Sequence, residues 1–145
     1  MIVVDVNVLV AAYLTRHTMH TTARAWLAEL LSTGEVAVPD VVWSGFSRIV
    51  TNPSITNPPA TWSDVRSFIA AVQRHPSYRE DIRGMLAPLG SFAILCQETK
   101  AVGNKVSDAY IAAIAIDHNA GLASWDSDFS AFPVTLVKPP ALPGP

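Results

Sequence analysis

Apolar residues come in short runs separated by polar breaks, and the runs alternate between strand-like and helix-like spacing. Ile2, Val3 and Val4 form a β-branched run that stops at Asp5, which predicts a short buried strand over residues 2–5. A short helix follows over 8–14. Ala23, Trp26, Leu27, Leu30 and Leu31 mark one face of a helix over 21–31, which Gly34 ends. Residues 35–38 read as a second strand closed by Pro39, and 41–51 as a helix stopped by Asn52-Pro53. A Pro-rich loop fills 52–60. Thr61 or Ser63 caps a helix to about residue 73, and 75–81 reads as a polar loop. A longer helix is expected over 82–102, kinked or split at Pro88 and Gly90. After a break at Gly103-Asn104, Ser107 caps a helix to residue 119. Residues 122–125 form a third strand, 127–131 a helical turn and 134–137 a fourth strand.

Short apolar strands alternating with helices predict an α/β domain, a three-layer α/β/α sandwich on a short parallel sheet of about four to five strands. Its crossovers should be right-handed. Residues 1–138 read as a single domain, and 139–145 as a Pro-rich, extended tail. In such sheets ligands bind beyond the carboxyl ends of the strands.

The bulk numbers narrow the function classes. The chain has 145 residues, half of them hydrophobic and 15% charged, with a net charge of −2. That balance carries no global basic signature of a nucleic-acid binder, although a local basic rim can sit beside an acidic site. Cys96 is the single cysteine, so no internal disulfide forms and a reducing, cytoplasmic setting is expected. The apolar N-terminus lacks a basic start and is interrupted by Asp5 and Asn7, unlike a signal peptide. No run approaches the ~20 apolar residues of a membrane span.

The candidate chemistry is carboxylate chemistry. Asp5, Asp108 and Asp126 each stand at an abrupt edge of an apolar segment, and Asp128 follows two residues later. Taken singly, an Asp after a strand or at a helix start is an ordinary cap, and Asp108 would be favoured by the helix dipole. Taken together, folding can bring them to one sheet edge. Close carboxylates repel by roughly 4 kcal/mol per pair at intermediate dielectric, so a cluster points to a bound cation.

Several blocks then match one family. They are Val4-Asp5-Val-Asn7-Val-Leu9, Glu35-Val-Ala-Val-Pro39, Phe46-Ser-Arg48-Ile-Val-Thr-Asn52-Pro53, Asp108 to Ile116, and Leu122-Ala-Ser124-Trp-Asp126-Ser-Asp128-Phe129. In order and spacing they resemble the PIN-domain family, and within it the small VapC-like toxin ribonucleases. The resemblance implies a Mg²⁺-dependent endoribonuclease, with Mn²⁺ as a substitute, acting as the toxin of a type II toxin–antitoxin pair in a bacterial cytoplasm. It implies a small cognate antitoxin, an RNA substrate, a homodimer, DNA contact only through the antitoxin, and no membrane. Asp5, Asp108 and Asp126 match the family's metal-site aspartates, and Asp128 an additional catalytic acid of the toxin branch. Asn7 and Ser124 match residues that orient the carboxylates, and Arg48 matches an arginine suited to contact substrate or antitoxin.

The departure is Gly45, which occupies the family's glutamate position before Phe-x-Arg. Three explanations stand open: a glycine needed for tight packing, natural attenuation, or a glutamate removed because an active toxin kills its host. An alternative function follows, a catalytically inactive protein acting through antitoxin binding and autoregulation. Arg16, Arg48, Lys100 and Lys105 are candidate basic rim residues. His17 and His20 miss the usual zinc spacings and read as surface residues. Asp117 lies nine residues past Asp108, about half a turn around the helix, and should face away from the site. Trp26, Trp43, Trp62 and Trp125 read as core or interface residues, with Trp125 set apart by its neighbour Asp126.

Overall fold

A computed structural model describes residues 1–87, 89–138 and 140. The other tail residues lie outside this range. Four strands, β1 (Ile2–Val4), β2 (Val36–Ala37), β3 (Gly121–Ala123) and β4 (Leu136–Val137), form one sheet in the order β2-β1-β3-β4. All its pairs are parallel. Val36 is also bridged to Tyr78, so part of the expected polar loop extends the β2 edge. The helices are α1 (Val6–Tyr13), α2 (His20–Thr33), α3 (Asp40–Val50), α4 (Trp62–Gln73), α5 (Gly90–Thr99) and α6 (Asn104–Asp117), with a 3₁₀ turn over Ser127–Ala131.

The two central strands, β1 and β3, are short apolar runs that end in buried positions. Val3, Val4, Leu122 and Ala123 have no exposed surface, which is why β-branched or small apolar residues occupy them. Ala109, Ala112, Ala113 and Ala115 of α6 are all fully buried, and their small side chains let this helix lie close in the core. Phe46 of α3 packs edge-on to Tyr13 of α1 and against Phe68 of α4, which fixes α3 between its neighbours.

Two expected elements differ. The long helix over 82–102 exists only as α5; its first third is irregular through residue 87. Leu89 precedes it in a left-handed conformation at φ 55°, which no continuous helix could contain. α6 starts at Asn104 behind Gly103, whose φ is +56°. Ser107 is therefore inside the helix and not its cap, and Asp108 lies beyond the first turn.

The connection from β1 to β2 runs one way across the sheet, and the return from β2 to β3 passes back over β1. With right-handed crossovers the chain leaves β1 and β3 toward opposite faces. A crevice opens where they part, beyond their carboxyl ends.

Candidate active site

Asp5 is the first residue after β1 and Asp126 the third after β3, so the crevice between these strands is flanked by carboxylates. Asp5 caps α1, its Oδ1 accepting from the Val6 N–H at 2.7 Å. Its own N–H donates to the Ala123 carbonyl at 3.0 Å, which continues the β1–β3 pairing one residue past the strand. Asp126 caps the 3₁₀ turn and accepts from the Asp128 N–H at 2.8 Å.

Ser124 joins the two ends. Its hydroxyl donates to Asp5 Oδ2 at 2.7 Å and accepts from Asn7 Nδ2 and the Asp126 N–H, both at 2.9 Å. A hydroxyl has one donor and two acceptor sites, so this fully buried side chain is saturated. Asn7 Oδ1 in turn accepts from the Trp125 N–H at 3.4 Å.

These residues open onto a cleft of about 560 Å³ whose walls include Asp5, Asn7, Gly45, Arg48, Asp108 and Asp126. α3 presents Val41, Ser44, Gly45, Arg48 and Ile49 to it, the i, i+4, i+8 face of that helix. Asp128 does not line the cleft. The cap at Asp126 turns the chain there, and Asp128 stands exposed beyond it. Of the proposed basic rim only Arg48 is in place. Arg16 lines a separate groove with Tyr13, Ile55 and Asn57, and Lys105 Nζ donates to the Thr99 carbonyl at 3.4 Å. Asp117 accepts from Ser91 Oγ at 2.6 Å, away from the cleft. His17, read from sequence as plain surface, lines the cleft rim. It sits in the α1–α2 loop, where no periodicity could have pointed inward.

The acids sense one another. Burial pushes Asp108 up to about 6, with the charges of Asp126, Asp5 and Asp128 adding to it. Burial also raises Asp5, against its hydrogen bonds from Ser124 and Val6, and Asp126 raises it further. Among the described residues, however, no group of three His, Cys, Asp or Glu side chains is arranged to hold a metal ion. The two findings measure different things. Charges couple over several ångströms, whereas ligation needs oxygens converging to about 2.0–2.6 Å from one point. An all-carboxylate set still suits a hard divalent cation, and that cation would offset the mutual repulsion that adds to burial in raising Asp108.

A pH dependence follows. Asp108 titrates higher in the fold than its ordinary 3.8, so ionising it costs the folded state. Its penalty is absent below the unfolded value and grows as pH rises through about 6. In chelator, Asp108→Asn should therefore melt a few degrees higher than the parent near pH 7.5, with the gap shrinking near pH 5. Thermal denaturation at the two pH values checks this. A variant less stable than the parent at the higher pH would make Asp108 a structural anchor.

Gly45 lies where α3 crosses α1. A Cβ there would come within 2.9 Å of Val6 Cγ2, closer than ordinary packing. Of the three explanations for this glycine, the contact favours tight packing.

The PIN-domain family profile matches residues 2–134. Ribonuclease VapC25 of Mycobacterium tuberculosis is 36% identical over 142 residues, covering 97% of this chain and 99% of the relative. Ribonuclease VapC31 of the same species is 35% identical over 142 residues, with the same coverage. Among solved structures, VapBC2 from Rickettsia felis, bound to a DNA fragment from their promoter, superposes with a TM-score of 0.67. The match covers 97% of this chain and 100% of that one at 18% identity, a likeness of fold.

Proposed function

The chain belongs to the PIN-domain family, and on that premise we propose that it is the ribonuclease toxin of a toxin–antitoxin pair, cutting RNA phosphodiesters with a divalent cation held by Asp5, Asp108 and Asp126. The observation that carries this reading is the single cleft shared by carboxylates from the β1 end, the β3 end and α6, where burial raises Asp108 and the other acids add to it. When bound, the cation supplies positive charge at the phosphate and a more acidic water; Mg²⁺ is the proposed ion and Mn²⁺ its substitute.

The chain's own groups do the positioning. Ser124 holds Asp5 and the Asp126 backbone, and Asn7 braces Ser124 and the Trp125 N–H, as outer-shell groups do for ligands. Arg48, which lines the cleft from α3, would grip a phosphate through two parallel N–H bonds. Asp128 acts at longer range, adding negative charge near Asp108. Gly45 contributes no oxygen, so this form should hold its cation weakly and cut slowly. That same glycine supports a second reading, an inactive form working through antitoxin binding and autoregulation.

The same reading proposes the partners: a small antitoxin, DNA reached through that antitoxin, and a second copy of the chain. No helix among the described residues is long and apolar enough to cross a membrane, and a bacterial cytoplasmic location is part of this proposal.

A substrate panel tests the function. Single-stranded RNA, single-stranded DNA and a phosphomonoester are incubated with the chain in Mn²⁺. Cleavage confined to RNA is expected. Phosphomonoester turnover, or DNA cut as fast as RNA, would point to a different phosphoryl-transfer enzyme on this sheet.

A further inference from the structure

The acidic cleft continues past Gly45 along α3. Ser44 and Arg48 line both this cleft and a neighbouring groove of about 390 Å³, whose other walls are Trp43, Ser47, Thr51 and Trp62. The four tryptophans, all read from sequence as core or interface residues, separate here. Trp26 and Trp43 are buried, Trp125 is half-buried, and Trp62 is 64% exposed. An indole left in water at the first position of a helix is explained by neither core packing nor helix propensity.

Its position is fixed. The loop after α3 folds back on that helix, with the Thr56 hydroxyl donating to the Ile49 carbonyl at 3.1 Å and the Ala60 N–H to the Val50 carbonyl at 2.8 Å. Thr61 then caps α4, accepting from the Asp64 N–H at 3.2 Å and donating to its carboxylate at 2.7 Å. These bonds hold Trp62 opposite the last turns of α3. Arg48 lies on the ridge between groove and cleft, exposed and in no salt bridge among the described residues.

We propose that this groove is a nucleobase subsite, where an unpaired base of the RNA stacks on Trp62 while Arg48 takes the phosphate linking that base to the one in the acidic cleft. It rests on the ribonuclease reading above. The chemistry is that of single-strand binding: every base offers a π-face, so an aromatic platform beside a cation takes the strand with little sequence preference. Trp62 is thus a substrate-positioning residue and stays outside the bond-breaking step.

The test is binding of a short single-stranded RNA to the parent, Trp62→Ala and Trp62→Phe in Ca²⁺, a hard cation with the same oxygen-ligand preference as Mg²⁺, with the strand checked to be intact after each titration. Fluorescence anisotropy gives the dissociation constants, and sedimentation gives the oligomeric state of each form. Trp62→Ala should weaken binding by about tenfold or more, and Trp62→Phe should keep it within about threefold. RNA should quench tryptophan emission more strongly in the parent than in Trp62→Phe, because Trp62 is the most exposed of the four indoles. Equal affinity in all three forms would overturn the subsite and leave the ribonuclease reading standing. A change of oligomeric state in Trp62→Ala with unchanged RNA affinity would show instead that a second copy of the chain covers this face. RNA binding by none of the forms would overturn the subsite and the ribonuclease reading together.

Discussion

Gly45→Glu is expected to raise metal-dependent RNA cleavage by about 10²-fold or more, because a further cleft carboxylate is worth several kcal/mol of transition-state charge stabilisation through the cation. Position 45 lines the same cleft as Asp5, Asp108 and Asp126, so a carboxylate there joins the existing set. The gain carries a structural cost. The new Cβ would meet Val6 Cγ2 at 2.9 Å. Val6 is β-branched and in the first turn of α1, where its rotamer is restricted and cannot swing clear. Overpacking of this kind costs typically about 1–3 kcal/mol, and the better helix propensity of Glu over Gly returns about 0.5 kcal/mol. The variant should therefore be faster and less stable at once. Adding Val6→Ala should recover the melting temperature. Cleavage rates and thermal denaturation on the three forms read both effects. Equal rates in parent and variant would mean that another acid, Asp40 or Asp128, already supplies the charge.

Ser124→Ala should cost about 2 kcal/mol of stability and about 10–100-fold in cation affinity. Its hydroxyl is the shared partner of the Asp5 carboxylate, the Asn7 amide and the Asp126 N–H. Alanine leaves all three without it. The amide of Asn7 and the backbone of Asp126 are only part-buried and can turn to water. Asp5 is buried and cannot, so most of the stability loss falls there. Losing a hydrogen bond that favours the ionised form also lifts Asp5 further, which makes cation binding more sensitive to acid. Denaturant melts and a Mn²⁺ titration at neutral pH read the two effects. Unchanged affinity would mean that the β1 and β3 ends are held by their backbone pairing alone.

Much of this site was legible because its residues sit at boundaries. The β-branched run of β1 and the small apolar run of β3 end at acids, and the change from apolar to carboxylate marks both the strand end and the cleft. Ser124 and Asn7 were readable as orienting groups by resemblance, though their convergence on one hydroxyl needed coordinates. The start of α6 was misplaced because Gly103 in a left-handed conformation begins the helix without a side-chain cap, while Ser107 looks like one. α5 was overextended because the apolar residues at 82–87 keep a helical spacing that the turn at Leu89 cancels. The Gly45–Val6 contact and the exposure of Trp62 depend on how helices cross, and neither leaves a trace in local pattern. His17 reaches the cleft only through the path of its loop.

Asp5 and a carboxylate introduced at position 45 should act on RNA through one shared cation. The most direct measurement is RNA cleavage in Mn²⁺ by four forms: the chain, Gly45→Glu, Asp5→Ala, and both substitutions together, each repeated in EDTA. Slow cleavage by the chain, a large gain in Gly45→Glu, and no gain in the Asp5→Ala background or in chelator are expected. A Gly45→Glu gain that persists without Asp5, or that survives EDTA, would contradict a shared cation.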